Sequence, residues 1–127
     1  MDLQQNVGIM ATERRQKQVD VLMQEELAKI LNREMDIPPD LFLTVTRVDV
    51  APNLAAADVF VSVLPGTKAG QILQELAQRT FEFQQMVNKR LRMRPVPRIR
   101  FLLDNVEAQA AEIEEELYKI RKLGNRE

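Results

Sequence analysis

The six prolines of this chain decide what it can fold into. Proline lacks a backbone donor and clashes inside a helix, so no regular element runs through it. Pro38 and Pro39 close one helical pattern, and Pro52 sits in a turn between two alternating runs. Pro65, with Gly66, ends the second of those runs, and Pro95 and Pro97 end a second helical pattern. Each block between these points carries one periodicity.

Residues 1–11 show no pattern and are expected to be a mobile N-terminal segment. From about 12 to 34, Val19, Leu22, Met23, Leu27, Ile30 and Leu31 recur at three and four residues, which predicts an amphipathic helix. LFLTVTRVDV, residues 41–50, alternates and is rich in β-branched residues, with Arg47 and Asp49 on one side of the pleat. A second strand is predicted from Ala56 to Leu64, with Val59, Val61 and Val63 on one face. The two strands read as an antiparallel hairpin.

A helical pattern then covers about 68–93. One straight helix of that length would span roughly 39 Å, long for a small domain. Phe81 and Phe83 cannot share one helical face, so a bend between 77 and 81 is expected, with Ala77, Thr80 and Phe81 as candidate bend residues. RIRFLL, residues 98–103, alternates Ile99, Phe101 and Leu103 against Arg98, Arg100 and Leu102 and predicts a third strand. Asp104 and Glu107 have capping-box spacing for a last helix, whose stripe is Ile113, Leu117 and Ile120. Residues 124–127 form a short tail. The expected class is α+β, with helices on one side of a small sheet.

Composition narrows the chemistry. There is no His and no Cys, which removes the commonest general base and the usual soft metal ligands. No phosphate-cradling glycine loop occurs. The run Glu112 to Glu116 points in several directions around a helix and reads as a solvated face, not a metal site. The methionines read as core filler. The start of the chain has no secretory pattern, and no stretch is long and apolar enough to span a bilayer, so a cytoplasmic location is expected.

The charge pattern is the informative feature. Lys and Arg number 18 against 19 Asp and Glu, a formal net charge of -1. Yet residues 89–101, KRLRMRPVPRIRF, hold six bases and no acid. Basic residues favour helix C-termini, which accounts for one or two of Lys89, Arg90, Arg92 and Arg94. It does not account for Arg98 and Arg100, which continue the charge onto a strand. Five of the six are Arg, whose planar fork suits phosphate. A polyanion is the expected partner. Arg14, Arg15 and Lys17 could extend the surface, although a solvated helix start explains them equally. Phe81 and Phe83 could stack bases, but at helical spacing at least one belongs to the core. A protein-interaction domain for an acidic partner and a small α+β enzyme remain as alternatives.

Three stretches together resemble the ribosome-binding factor A family of bacterial small-subunit maturation factors: ELAKIL ending the first helix, VTRVDVAPNLAAADVFVSVL, and NKRLRMRPVPRIRFLLDN. The resemblance covers about residues 12–123. It implies a type II KH-like domain, αββααβ, with a three-stranded sheet covered by helices and an additional C-terminal helix. It implies a non-catalytic, monomeric RNA-binding protein that associates with free small ribosomal subunits and assists late maturation and processing of their rRNA. No cofactor, metal, membrane or small-molecule substrate is implied. KH domains usually clamp RNA with a GxxG loop between two helices; this family has a bent helix pair with Ala-x-Gly at the bend. The corresponding region here reads LAQRTFEFQQMVNKRL, where Ala77 or a neighbour serves as the bend and no Gly follows. The family's basic surface maps onto Lys89, Arg90, Arg92 and Arg94, with Arg14, Arg15 and Lys17 as a weaker carry-over. A KH-like module with another RNA target is the alternative within this reading.

The face assignment is directly testable. Leu27, Val61, Leu76, Phe101 and Ile113 are expected in the core. Val61→Asp would bury an unpaired carboxylate there and should cost several kcal/mol, read as a large drop in the urea midpoint. A parent-like midpoint would mean that the strand faces are inverted.

Overall fold

A computed structural model describes residues 12–104. The element order is α1 (Glu13–Glu34), β1 (Phe42–Val50), β2 (Ala56–Leu64), a single 3-10 turn (Gly66–Lys68), α2 (Ala69–Gln78), α3 (Thr80–Arg90) and β3 (Arg98–Leu103). This is the αββααβ order. The expected N-terminal segment, the C-terminal helix with Ile113, and the tail lie outside the described residues. No helix among the described residues is long and apolar enough to cross a membrane.

The Thr12 hydroxyl starts α1 by accepting from the Arg15 N–H at 3.1 Å, which satisfies one of the donors left open at a helix start. Val19, Met23, Leu27, Ile30 and Leu31 face the core. Leu22, which the periodicity placed in that stripe, lies off its edge and is 40 % exposed.

The sheet order is β1-β2-β3, with β2 central, antiparallel to β1 and parallel to β3. A parallel partner requires a crossover, and α2 with α3 provide it. Ala57, Val59, Val61 and Val63 of β2 and Ile99 and Phe101 of β3 turn toward the helices. Leu27, Val61, Leu76 and Phe101 are all buried.

In β1 the alternation slips. Val45 pairs with Val61 and Arg47 with Phe60, leaving Thr46 as an extra residue, a β-bulge. Leu43 and Val45 pack inward before it, and Val48 and Val50 after it. Without the bulge Arg47 would point into the core. Instead its guanidinium lies outside, 3.8 Å from the centre of the Phe60 ring. Phe60 thus stays only 7 % exposed on the face of the sheet away from the helices. In the hairpin turn Leu54 takes φ of 59°, unusual for a branched residue, and its N–H is held by the Ala51 carbonyl at 2.8 Å.

β1 is an edge strand, and α1 satisfies four of its backbone groups. Gln16, Asp20 and Gln24, spaced four apart, share one face of α1. The Gln16 amide donates to the Val50 carbonyl at 2.7 Å. Asp20 Oδ1 accepts from the Val50 N–H at 2.8 Å. The Gln24 amide donates to the carbonyls of Val45 at 3.2 Å and Thr46 at 3.1 Å, where the bulge breaks the ladder. Burial raises the Asp20 pKa above the usual aspartate value; the Val50 N–H opposes the shift and the Asp49 carboxylate adds to it.

A raised folded-state pKa means that the folded chain holds this proton more tightly than the unfolded chain. This group's contribution is therefore present below the unfolded pKa and is lost as pH rises through the raised value. Asp20→Asn keeps an acceptor for Val50 and removes the charge. It should flatten that fall and match or exceed the parent's stability at about pH 7. Asp20→Ala should lose about 1 kcal/mol by leaving the Val50 N–H unpaired. Urea midpoints across about pH 4 to 7 check both; a clear loss for Asp20→Asn at neutral pH would contradict the assignment.

Candidate nucleic-acid interface

The long helical pattern is broken at Arg79, whose φ of -101° and ψ of 12° separate α2 from α3. Ala77 stays inside α2, while Thr80 and Phe81 open α3. Thr80 contributes a local cause. Its hydroxyl donates to the Leu76 carbonyl at 3.0 Å, a back-bond that bends helices. The Arg79 N–H reaches the carbonyls of both Glu75 and Leu76, at 3.1 and 3.2 Å.

The Arg79 side chain fixes the junction in space. Its Nη1 donates to the Glu34 carbonyl at the end of α1, 3.2 Å away. Its Nε donates to Glu82 Oε2 at 2.7 Å, and Nη2 pairs with the same oxygen. Its guanidinium lies 4.7 Å from the centre of the Phe83 ring. The corner between α2 and α3 is thereby tied to α1. Phe83 is buried and meets Phe101 edge-on, with ring centres 6.0 Å apart. Phe81 is exposed.

The six bases of the KRLRMRPVPRIRF stretch divide by what they touch. Arg90 pairs with Glu26 of α1 at 3.2 Å, and Glu26 also lies 3.5 Å from Lys29. Arg94 folds back, with Nη1 donating to the carbonyls of Leu91 and Met93, both at 2.6 Å. Arg100 pairs with Asp58 on β2, Nη2 to Oδ1 at 3.0 Å. Lys89, Arg92 and Arg98 are exposed and have no carboxylate partner among the described residues. Exposed ion pairs contribute little to stability, and a phosphate can compete for their cations. Arg94 bonds only to neutral carbonyls, so it joins Lys89, Arg92 and Arg98 in carrying positive charge that no carboxylate among the described residues offsets.

The basic stretch does not lie on one flat face. Ile99 and Phe101 turn toward the helices, so Arg98 and Arg100 project from the opposite face of β3. β3 is an edge strand that carries Arg98 and Arg100, while Arg90 at the end of α3 reaches across to Glu26 of α1. Arg14, Arg15 and Lys17 are exposed in the first turns of α1. Gln16 beside them reaches Val50, which pairs with Ala57, which pairs in turn with Ile99. The start of α1 and the start of β3 therefore share one end of the sheet.

Gln84 organises this region and carries no signal in the sequence, where it reads as a solvated helix residue. Its Oε1 accepts from the Ile99 N–H at 2.8 Å. Its Nε2 donates to the Pro97 carbonyl at 3.1 Å and to Asn88 Oδ1 at 3.0 Å. The two prolines leave the loop short of backbone donors, and Gln84 ties its exit to α3 while covering the open edge of β3.

The family model for ribosome-binding factor A matches residues 15–117 of this chain. Ribosome-binding factor A of Bdellovibrio bacteriovorus is 34 % identical over 116 residues, covering 88 % of this chain and 87 % of that protein. The protein of the same name from Thermodesulfovibrio yellowstonii is 32 % identical over 109 residues, covering 86 % and 92 %. The crystal structure of ribosome-binding factor A from Thermus thermophilus is similar in fold, with TM-score 0.59 at 24 % identity, over 69 % of this chain and 94 % of that one. A homology model of the Thermus thermophilus factor, fitted into a cryo-EM map of its 30S complex, gives TM-score 0.54 at 27 % identity, over 65 % and 88 %.

Gln84→Ala should remove the tether between α3 and β3. The expected cost is about 1–2 kcal/mol, because the Ile99 N–H loses its partner. Hydrogen exchange at the Ile99 amide should accelerate with it. Unchanged stability together with unchanged exchange at Ile99 would show that the tether does not hold in solution.

Proposed function

The chain belongs to the ribosome-binding factor A family, and on that premise we propose that it is a non-catalytic RNA-binding factor of small-subunit maturation. It acts in the cytoplasm on free small ribosomal subunits, through their rRNA, and assists late processing. The partner is carried over from the Thermus thermophilus relative, which was fitted into a map of a 30S complex. The observation that most supports the reading in this chain is electrostatic. Lys89 at the end of α3, Arg92 in the loop after it and Arg98 at the start of β3 are exposed, without carboxylate partners among the described residues. Arg90, Arg94 and Arg100 stand beside them, and Arg14, Arg15 and Lys17 lie at the start of α1.

Such a band suits a phosphate backbone. Each cation that neutralises a phosphate releases counterions, so affinity falls with salt in proportion to the number of contacts. Arg90 and Arg100 contribute after exchanging a carboxylate for a phosphate, Arg94 after leaving its backbone carbonyls, and the unpaired bases contribute at once.

Changing Lys89, Arg92 and Arg98 together to Gln should weaken binding to free small subunits without unfolding the protein, since all three are exposed. Log affinity falls by roughly 0.7–0.9 per log unit of salt for each contact, so the slope should flatten by about two units. Parent protein should co-sediment with free small subunits and little with complete ribosomes. Full affinity and an unchanged slope in the triple variant would move the RNA-facing surface elsewhere.

A further inference from the structure

We propose that Phe81, with Gln85 and Lys89 on the same face of α3, forms a stacking site for an unpaired base of single-stranded RNA. The proposal rests on the RNA-binding reading above and specifies one contact within it. Phe81 is 77 % exposed, more than any other exposed large hydrophobic residue among those described. The two aromatics at this corner have separate fates. Phe83 is spent on the core, between the Arg79 guanidinium and the edge of Phe101. Phe81 has no ring partner among the described residues.

Its surroundings match a nucleotide better than an apolar protein pocket. Positions 81, 85 and 89 are spaced four apart, so they lie along one helical face, and all three are exposed. The order along that face is a ring, an amide and an ammonium. By helix rise the backbone positions of residues 81 and 89 are separated by about 12 Å along the axis. A base can stack on the ring, its polar edge can meet the Gln85 amide, and a nearby phosphate can meet Lys89. An apolar partner would want further apolar neighbours, and positions 85 and 89 of this face are polar. The adjacent carboxylate is also accounted for: Glu82 is held by Arg79. Among the described residues, no unpaired carboxylate stands on the 81–85–89 face to repel a phosphate.

The break at Arg79 is what presents the ring. It places Phe81 in the first turn of α3, at the corner where two helices meet. Stacking on an aromatic side chain tolerates any base, is strongest for purines, and requires the base to be out of a duplex.

Oligoadenylate, oligouridylate and a blunt RNA duplex are the probes, used with the full chain. Phe81→Ala should weaken oligoadenylate binding by about five- to a hundred-fold, with a smaller loss for oligouridylate and no loss for the duplex. Its salt slope should equal the parent's, because no phosphate contact is removed. Lys89→Gln should instead flatten the slope by about one unit. Phe81→Trp should retain binding, and its fluorescence should be quenched by oligoadenylate. Phe81→Leu should behave like Phe81→Ala. The melting temperature should stay at the parent's value in every Phe81 variant, since the ring is outside the core. The stack is overturned if Phe81→Leu binds oligoadenylate as the parent does, which would mark a merely apolar contact. It is also overturned if Phe81→Ala retains full affinity while the Lys89, Arg92 and Arg98 triple variant loses it; the RNA-binding reading then stands without the stack. If neither variant changes binding, both are overturned.

Discussion

A three-stranded sheet has more edge than interior. Two of its three strands expose a row of unpaired N–H and C=O groups, and each such group must find water or a partner. The architecture here answers that constraint with polar side chains on the covering helices. Gln16, Asp20 and Gln24 attend β1, and Gln84 attends β3. The helices therefore do two jobs. Their apolar stripes bury the inner face of the sheet, and a neighbouring polar stripe finishes its edges. The second job fixes the position of each helix along its strand, which apolar contact alone does less sharply, because hydrophobic burial is non-directional.

That positional control reaches the basic surface. The cations of the KRLRMRPVPRIRF stretch sit on a helix end, a proline-punctuated loop and a strand. They hold a common arrangement because Gln84 joins the helix to the strand and Arg79 joins the helix corner to α1. Phosphate recognition needs cations at set spacings, and none of the anchoring residues need touch RNA to supply them. The arginines themselves fall into three groups, with Arg94 alone in being held by backbone carbonyls. Arg90 and Arg100 are held in ion pairs, and Arg92 and Arg98 project into solvent.

Much of the fold is legible in the sequence because the prolines separate blocks of clean periodicity. The strand limits at Ala56, Leu64, Arg98 and Leu103 follow directly from alternation and its breakers. Alternation fails at Thr46, because a bulge is a property of a pair of strands and its register is not written in one. Periodicity also fails to choose between Phe81 and Phe83. It shows that both cannot face the core, but the choice of Phe83 depends on Phe101, which lies far along the chain. The basic stretch is plain in the sequence, whereas its division into paired and unpaired cations is not. Glu26 and Asp58, which make the difference, come from distant segments. Gln84 and the Gln16–Asp20–Gln24 stripe are invisible for a related reason: a polar residue on a helix reads as solvated until the strand beside it is placed. Phe60 escapes notice because its cover, Arg47, reads as a surface charge.

The parallel pairing of β2 with β3 sets the entropy of assembly. The hairpin joins its strands across a short turn, whereas Arg100 meets Asp58 across a separation of 42 residues. Closing a chain costs more as the loop lengthens, and the cost must be met before the contacts it permits can repay it. The hairpin closes over a short turn, the α1 side chains reach β1 across 21 to 34 residues, and β3 joins the sheet across a longer span still. The strand that bears Arg98 and receives Gln84 is thus the one whose native position depends most on the rest of the chain being in place.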